Sequence, residues 1–431
     1  MQVEQPKQKL GLLMTTSLVV GNMIGSGIFL IPASLAAFGG IGLVGWLLSA
    51  LGAITIAIVY GYLNEQLPNA QGGPYAYTRE AYGEFPAFLV AWGYWISIWC
   101  TNAAIAVALV SYLSVFFPIL SDSPLWSIGT GIGFIWLLTW INTLKIRNVG
   151  WVQLLTTIFK ITPLLVIGLL GIIYFDPSHF EPFNRTADSN WQALTACTTL
   201  TLFAFLGIES ATIPQNHIKN PKRTIRIATI FGTLITTFIY LLGSFAVMSI
   251  IPPDALQQSE KPFAEAGAII GGDIASYIVA IGAVIATFGA LNGWLLLQGQ
   301  IPLAATNDGL FPKFFGITNK NGAPVWGIIF SSILASTLMA LNFHKSTIDA
   351  FTFMMLLSTL NVLVPYLFSS SASIILQSGK LKTFIAGFAF LFSLWMIIGC
   401  GTEVVYYGFI LLMAGIPFYI WMRKNKSNEN E

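Results

Sequence analysis

Apolar runs of about twenty residues recur along almost the whole chain, and no other feature constrains its fold as strongly. A helix needs about 20 mostly apolar residues to cross a bilayer. By that rule spans are expected near 11–38, 42–64, 86–117, 125–143, 149–174, 192–217, 225–251, 273–304, 326–342, 347–376, 383–400 and 404–422. The eighth is long and is expected to end in a short helix outside the membrane. Leu67–Phe85, with Gly72-Gly73-Pro74 and several tyrosines, reads as an amphipathic helix at the cytoplasmic interface. The first run starts near Gly11, after the polar lead Gln2–Lys9, and is too long for a signal-peptide core, so no cleaved leader is expected. Only 9% of the 431 residues are charged and 55% are hydrophobic, against about 25% charged in a soluble domain. A bilayer can cover that much apolar surface and a soluble core of this length cannot. The fold class is therefore an all-α membrane protein of about twelve transmembrane helices.

Charge placement gives the expected orientation. Sixteen of the twenty Lys and Arg residues fall on one side of this map. Three (Arg185, Lys261 and Lys345) fall on the other, and Lys160 lies inside a span. By the positive-inside rule both termini are then cytoplasmic. The net charge of +2 gives no sign of a nucleic-acid partner. Lys219–Arg226 has the composition of a phospholipid-contacting or topology-fixing loop. Cys100, Cys197 and Cys400 sit in apolar runs without CxxC or histidine pairing, and read as buried hydrophobes. His179, His217 and His344 fall in loops or at the interface and suggest no metal site. No cofactor is expected either, since Gly72-Gly73-Pro74 lacks the lysine and the strand-to-helix setting of a phosphate loop.

Two spans carry interruptions. Gly21-Asn22-Met23-Ile24-Gly25-Ser26-Gly27 places three glycines within an otherwise apolar helix. Such a stretch weakens helix continuity at membrane depth, where free backbone groups are tolerated only when buried in protein or facing a cavity. Close helix packing would explain Gly21 and Gly25, four apart, but not the polar Asn22 and Ser26. In the sixth span, Phe203-Ala204-Phe205-Leu206-Gly207-Ile208-Glu209-Ser210 sets a carboxylate and a hydroxyl after a glycine at similar depth. Two interrupted helices five spans apart mark an inverted-repeat transporter. The expected layout is a five-plus-five repeat, about 11–174 and about 192–376, with two further helices at about 383–422, all in one transport domain. N–H groups at a half-helix start suit a carboxylate, and carbonyls at a half-helix end suit an ammonium. A zwitterionic amino acid fits such a pair of ends.

At these residues the chain resembles the amino acid–polyamine–organocation superfamily, and within it the bacterial arginine/agmatine antiporter branch. The resemblance covers nearly the whole chain. It is strongest at Gly21–Gly27, Gly72-Gly73-Pro74-Tyr75-Ala76-Tyr77, Phe205–Ala211 with Lys219-Asn220-Pro221-Lys222-Arg223, and Gly293-Trp294 with Asn307-Asp308-Gly309-Leu310-Phe311-Pro312. It implies an amino-acid or polyamine substrate, a bacterial inner membrane and, as in that branch, a homodimer. It also implies that Ser26 and Gly27, beside Asn22, receive the substrate carboxylate. Carbonyls of Met23, Phe203 and Leu206 would take the α-ammonium. Ser97, Asn102, Trp294 and Ser358 would surround the substrate side chain, and Tyr94, Glu209 and Tyr366 would form an outer gate. Two positions depart from the branch. Phe203 stands where it has a tryptophan that stacks on arginine, and phenylalanine is a weaker cation partner. Lys160 is absent from the branch, although proton-coupled and exchanger members elsewhere in the superfamily carry a lysine in helix five.

Lys160 and Glu209 are the ionisable residues expected at mid-membrane. Each costs on the order of 2.5–3.5 kcal/mol on insertion scales, so each should have a role. Lys160 reads either as a tether to unwound carbonyls of the first span or as a coupling group that loses its proton during transport. Glu209 reads as a hydrogen-bonded gate carboxylate, a proton sensor or a counter-charge for a cationic substrate; a Lys160–Glu209 ion pair is a further reading. The function expected is secondary amino-acid transport by alternating access, as amino acid/amine antiport, with proton-coupled symport as the alternative. A channel would need a continuous polar pore, and a receptor a soluble sensing domain. A membrane-embedded enzyme would need paired catalytic groups at membrane depth. None of these patterns occurs, so the chain is not expected to be an enzyme.

Overall fold

The computed structural model describes residues 10–67, 72–144, 149–213, 218–342 and 345–428, and side chains within these except at 149–156 and 425–428. His217, His344, Lys7, Lys9, Lys145 and Arg147 lie outside the described residues, as does the side chain of Lys426. In chain order the helices are α1 (Leu12–Met23), α2 (Gly27–Ala36), α3 (Ile41–Gln66), α4 (Pro74–Tyr82), α5 (Glu84–Leu113), α6 (Ile119–Asp122), α7 (Pro124–Thr143), α8 (Val149–Gly171) and α9 (Asn190–Leu202). They continue with α10 (Pro221–Ile250), α11 (Pro253–Gln257), α12 (Pro262–Asn307), α13 (Val325–Leu341), α14 (Thr347–Leu376), α15 (Lys380–Gly399), α16 (Thr402–Met413) and α17 (Gly415–Asn428). Among the described residues there is no strand, only an isolated bridge between Leu10 and Ile218.

These helices form the twelve spans read from the sequence. Ten are long and apolar enough to cross a membrane, counting α1 with α2, α9 with the turns after it, and α16 with the start of α17; the described parts of α8 and α13 are two shorter apolar helices. The chain is a multi-pass membrane protein. Local signals set several helix starts. Proline occupies the first turn of α4, α7, α10 and α12, where its missing N–H costs nothing. A reciprocal Ser189–Gln192 capping box opens α9.

Burial sorts the spans into an inner and an outer set. The most apolar windows of the α1–α2 span, α5 and the α9 span are each 89% buried, against 22% for α7, 28% for α15 and 17% for α16–α17. The interrupted helices therefore lie at the centre. The peripheral helices turn Trp126, Trp140, Phe384, Leu391 and Ile398 outward, as lipid-facing helices do.

One expectation needs correction. The helix accompanying the eighth span precedes it: Gly271 and Gly272 break α12 near its start, and the helix then runs unbroken to Asn307. No glycine or proline stands between Pro302 and Gly309 to end it earlier, whereas two adjacent glycines allow the non-helical backbone at 271–272. Within Leu67–Phe85, the short helix α4 buries Pro74–Thr78 against the bundle and leaves Glu80 exposed, an amphipathic arrangement that does not span. Tyr75 donates a hydrogen bond to Asp308 at 2.8 Å, tying α4 to the end of α12.

Close packing near the second interruption gives a direct check. A Cβ on Gly45 of α3 would stand 2.6 Å from Cys197 Cβ and 2.9 Å from its carbonyl carbon in α9. Gly45→Ala is expected to lower stability by about 1–3 kcal/mol, the usual result of overpacking. Gly129→Ala, with nothing within 4 Å, should leave it unchanged. Thermal unfolding in detergent measures both, and equal melting of the two variants would contradict this packing.

Candidate functional site

Where a helix stops inside a membrane, its last four carbonyls need partners from elsewhere. Helix α1 stops at Met23, and each of its final carbonyls has one. Val20 O accepts from the Ile24 N–H at 2.8 Å. Gly21 O accepts from Lys160 Nζ of α8 at 2.9 Å. Asn22 O accepts from Trp294 Nε1 of α12 at 3.1 Å, and Met23 O from the Tyr240 hydroxyl of α10 at 2.6 Å. Three helices thus supply side chains that finish one broken end.

Tyr240 does more than cap α1. Its hydroxyl also lies 2.9 Å from Ala204 O in the second interruption, so one proton is shared between carbonyls of both breaks. That second break runs through a 3₁₀ turn at Phe203–Phe205, an extended Leu206, and Gly207 at φ 106°, before a further 3₁₀ turn at Ile208–Thr212. Only glycine adopts such a φ without strain. The two breaks are pressed together: a Cβ on Gly27 would stand 2.9 Å from Ala204 Cβ.

Between them lies a narrow cavity of about 10 Å³, lined by Asn22, Met23, Gly25, Ser26, Gly27, Thr101, Ile105, Phe203, Ala204, Leu206 and Trp294. That is room for roughly one water molecule, so anything larger requires the walls to part. Asn22 Oδ1 and Ser26 Oγ are buried and have no hydrogen-bond partner among the described residues. Orphaned buried polar atoms are rare and call for an explanation. Here the start of α2 adds N–H groups without intrahelical partners. The Met23 and Phe203 carbonyls, expected to take an ammonium, already accept bonds from Tyr240 and from the Leu206 N–H. The Phe203 oxygen keeps a second lone pair to offer, whereas Met23 O also accepts from the Gly25 N–H at 2.8 Å and frees one only when the end of α1 rearranges.

Seven residues named from the sequence meet at this cavity: Asn22, Met23, Ser26, Gly27, Phe203, Leu206 and Trp294. Ser97, Asn102 and Ser358 do not line it. Ser358 lies one layer behind, donating to Ser97 O at 2.8 Å and sharing a 2.6 Å hydrogen bond with Thr101. Asn102 donates to Gln298 Oε1 at 2.7 Å, and Gln298 Nε2 donates onward to Ser332 Oγ at 2.8 Å. Sequence reasoning missed Thr101, Tyr240 and Gln298. Gln298, a polar side chain inside the apolar eighth span, was a readable signal. Tyr240, inside an apolar run, gave none.

Glu209 is fully buried. Tyr94 donates to its Oε1 at 2.7 Å and Tyr366 to its Oε2 at 3.0 Å. Lys160 and Glu209 are therefore not an ion pair, since their partners are a carbonyl of α1 and these two hydroxyls. The three residues expected to form a gate do come together, on one side of the breaks. Tyr94 falls between Thr101 at the cavity and Glu84, which pairs with Arg423 of α17 at 2.8 Å. Tyr366 falls between Ser358 and the C-terminal end of α14, and Glu209 follows the break. All three therefore lie on the side of the breaks where Glu84 of α5 meets Arg423 of α17.

Over residues 10–427 the sequence matches the amino acid permease family. The chain belongs to that family. A cadaverine/lysine antiporter of Escherichia coli K12 is 34% identical to this permease over 390 residues, covering 88% of this chain and 86% of its own. A putative arginine/ornithine antiporter of Bacillus subtilis is likewise 34% identical, over 402 residues, covering 86% and 85%. An arginine/ornithine antiporter of Pseudomonas aeruginosa is 28% identical over 437 residues, covering 96% and 90%. In architecture the permease is similar to a manganese transporter of Eremococcus coleocola, solved with an aromatic bis-isothiourea compound. The TM-score is 0.63 at 11% identity, with 95% of this chain and 93% of that one covered; this likeness concerns the fold alone.

If Tyr240 holds the two breaks in register, Tyr240→Phe orphans the Ala204 carbonyl and one acceptor site on Met23. The expected result is a loss of about 1–3 kcal/mol in stability, read by thermal unfolding in detergent. An unchanged melting temperature would show that the hydroxyl is dispensable.

Proposed function

We propose that this permease is a secondary antiporter that exchanges a cationic amino acid for another such amino acid or its amine by alternating access. The observation that carries the reading is the pair of facing helix breaks, with Asn22 Oδ1 and Ser26 Oγ unpaired at the junction. Ser26 and Gly27 at the start of α2 receive the carboxylate, and carbonyls of Met23, Phe203 and Leu206 receive the α-ammonium. Phe203 and Trp294 flank the side chain. Asn102, Ser97 and Ser358 act from behind the cavity wall through Gln298 and Thr101.

The relatives favour antiport over proton symport, since those quoted are antiporters of lysine and cadaverine or of arginine and ornithine. Glu209 suits a cationic passenger. In this reading the Tyr94–Glu209–Tyr366 cluster is a gate toward the face of the termini, and its carboxylate offers a counter-charge on that path. Lys160 fixes the end of α1 in place of a bound cation. The proposal takes residues 11–174, 192–376 and 383–422 as two inverted repeats and two peripheral helices of one transport domain. It sets the chain in a bacterial inner membrane as a homodimer, both termini cytoplasmic, and assigns it no catalytic reaction.

The test is uptake of labelled lysine, arginine or ornithine into proteoliposomes. Vesicles preloaded with the same amino acids or with cadaverine or putrescine should take up label at least about tenfold faster than unloaded ones, a difference of about 1.4 kcal/mol in barrier. Equal uptake into unloaded vesicles, driven by a proton gradient alone, would establish symport instead. Glu209→Gln removes the charge while keeping the shape, and should slow exchange of the cationic substrates. Wild-type rates in that variant would exclude Glu209 as the counter-charge.

A further inference from the structure

A second cavity, far larger than the one at the helix breaks, opens on the protein surface where α10 begins. Its volume is about 650 Å³, and its walls include Glu65 of α3 and Lys222, Arg223, Arg226, Ile227 and Phe231 of α10. Lys222, Arg223 and Arg226 are exposed. Arg226 is held in place: it pairs with Glu65 at 2.7 Å and lies 5.5 Å from the Tyr62 ring centre. Lys382 of α15 stands 4.9 Å from the same ring centre, so a fourth cation lies beside the groove. Lys222 and Arg223 have no ion-pair partner among the described residues. They project from the first turn of a helix, where basic side chains oppose the helix dipole. The helix itself gains nothing from them there.

Below the charged rim the same helix becomes purely apolar on its outer face. Phe231, Leu234, Ile235 and Phe238 are exposed at 57%, 44%, 41% and 61%, at spacings that form one stripe. This stripe belongs to a membrane span, so hydrocarbon covers it. We infer that the groove binds an anionic phospholipid, with the phosphate between Lys222 and Arg223 and the acyl chains along Phe231–Phe238. The charge complement selects an anionic headgroup, and the apolar stripe leading directly from it selects a lipid over a free phosphate. Basic pockets between transmembrane helices on the cytoplasmic side hold lipid headgroups in this way. The site lies on α10, the helix whose Tyr240 joins the two breaks, so a lipid held at its end bears on the element that registers the transport site.

The test titrates the detergent-purified full chain with phosphatidylglycerol or phosphatidylcholine and reads bound lipid by native mass spectrometry. The wild type should prefer phosphatidylglycerol. Lys222→Gln combined with Arg223→Gln should weaken phosphatidylglycerol binding about thirtyfold, the loss expected of two basic residues facing an anionic lipid. Lys320→Gln, a cation on the same face outside the groove, should keep the preference, and millimolar inorganic phosphate should not displace the lipid. Three results would overturn the inference: an unchanged preference in the double variant, an equal loss in Lys320→Gln, or displacement by inorganic phosphate, which would mark a free-anion site. Both altered side chains are solvent-facing, so an unchanged melting temperature separates loss of the site from loss of the fold.

Discussion

Every other feature of the transport site depends on how the broken end of α1 is satisfied. A carbonyl without a partner in hydrocarbon costs several kcal/mol, so a helix can stop mid-membrane only where side chains from other helices reach it. Lys160, Trp294 and Tyr240 arrive from α8, α12 and α10 and take the carbonyls of Gly21, Asn22 and Met23 in turn. Because the caps come from three separate helices, any movement of α1 relative to them must exchange hydrogen bonds.

In the proposed cycle the cavity at the breaks and the carboxylate beyond it divide the work of recognition. At the cavity, polar atoms come from backbone ends and from two short side chains, Asn22 and Ser26, which suits the constant part of an amino acid. Glu209 is not among the residues lining this cavity and lies between two tyrosine hydroxyls, where the proposal has it act on charge. The Phe203 side chain, packed edge-on against Phe351 at 5.9 Å, offers a π face and no hydrogen bond, which in the proposed role would select passengers by shape and polarisability. The cavity volume of about 10 Å³ means that these parts cannot close on a substrate without rearranging.

Much of this was legible in the sequence because the bilayer makes the code coarse. Apolar length fixed the spans, and polar residues next to glycines inside them fixed both breaks. What escaped notice were contacts made by ordinary-looking residues. Tyr240 sits in the run Ile239-Tyr240-Leu241-Leu242, where an aromatic residue is unremarkable, and its role appears only once the two carbonyls lie beside its hydroxyl. Thr101 stands next to Asn102, and helix rotation alone decides which of them faces the cavity. The same holds for α4: its amphipathic pattern was readable, but not that Tyr75 would bond Asp308, distant in sequence.

The proposed cycle requires that Ser26 line a site which opens to water and closes around a cationic amino acid. Its most direct test is the rate at which a small thiol reagent modifies Ser26→Cys in membranes, with and without substrate. Native Cys100, Cys197 and Cys400 are buried and would be replaced by alanine to remove background. The expected result is measurable labelling of the introduced thiol that slows several-fold with saturating lysine, arginine or ornithine, but not with a non-transported anion such as glutamate. Labelling at one rate under all these conditions, in a variant that still transports, would contradict the assignment of the site to the helix breaks.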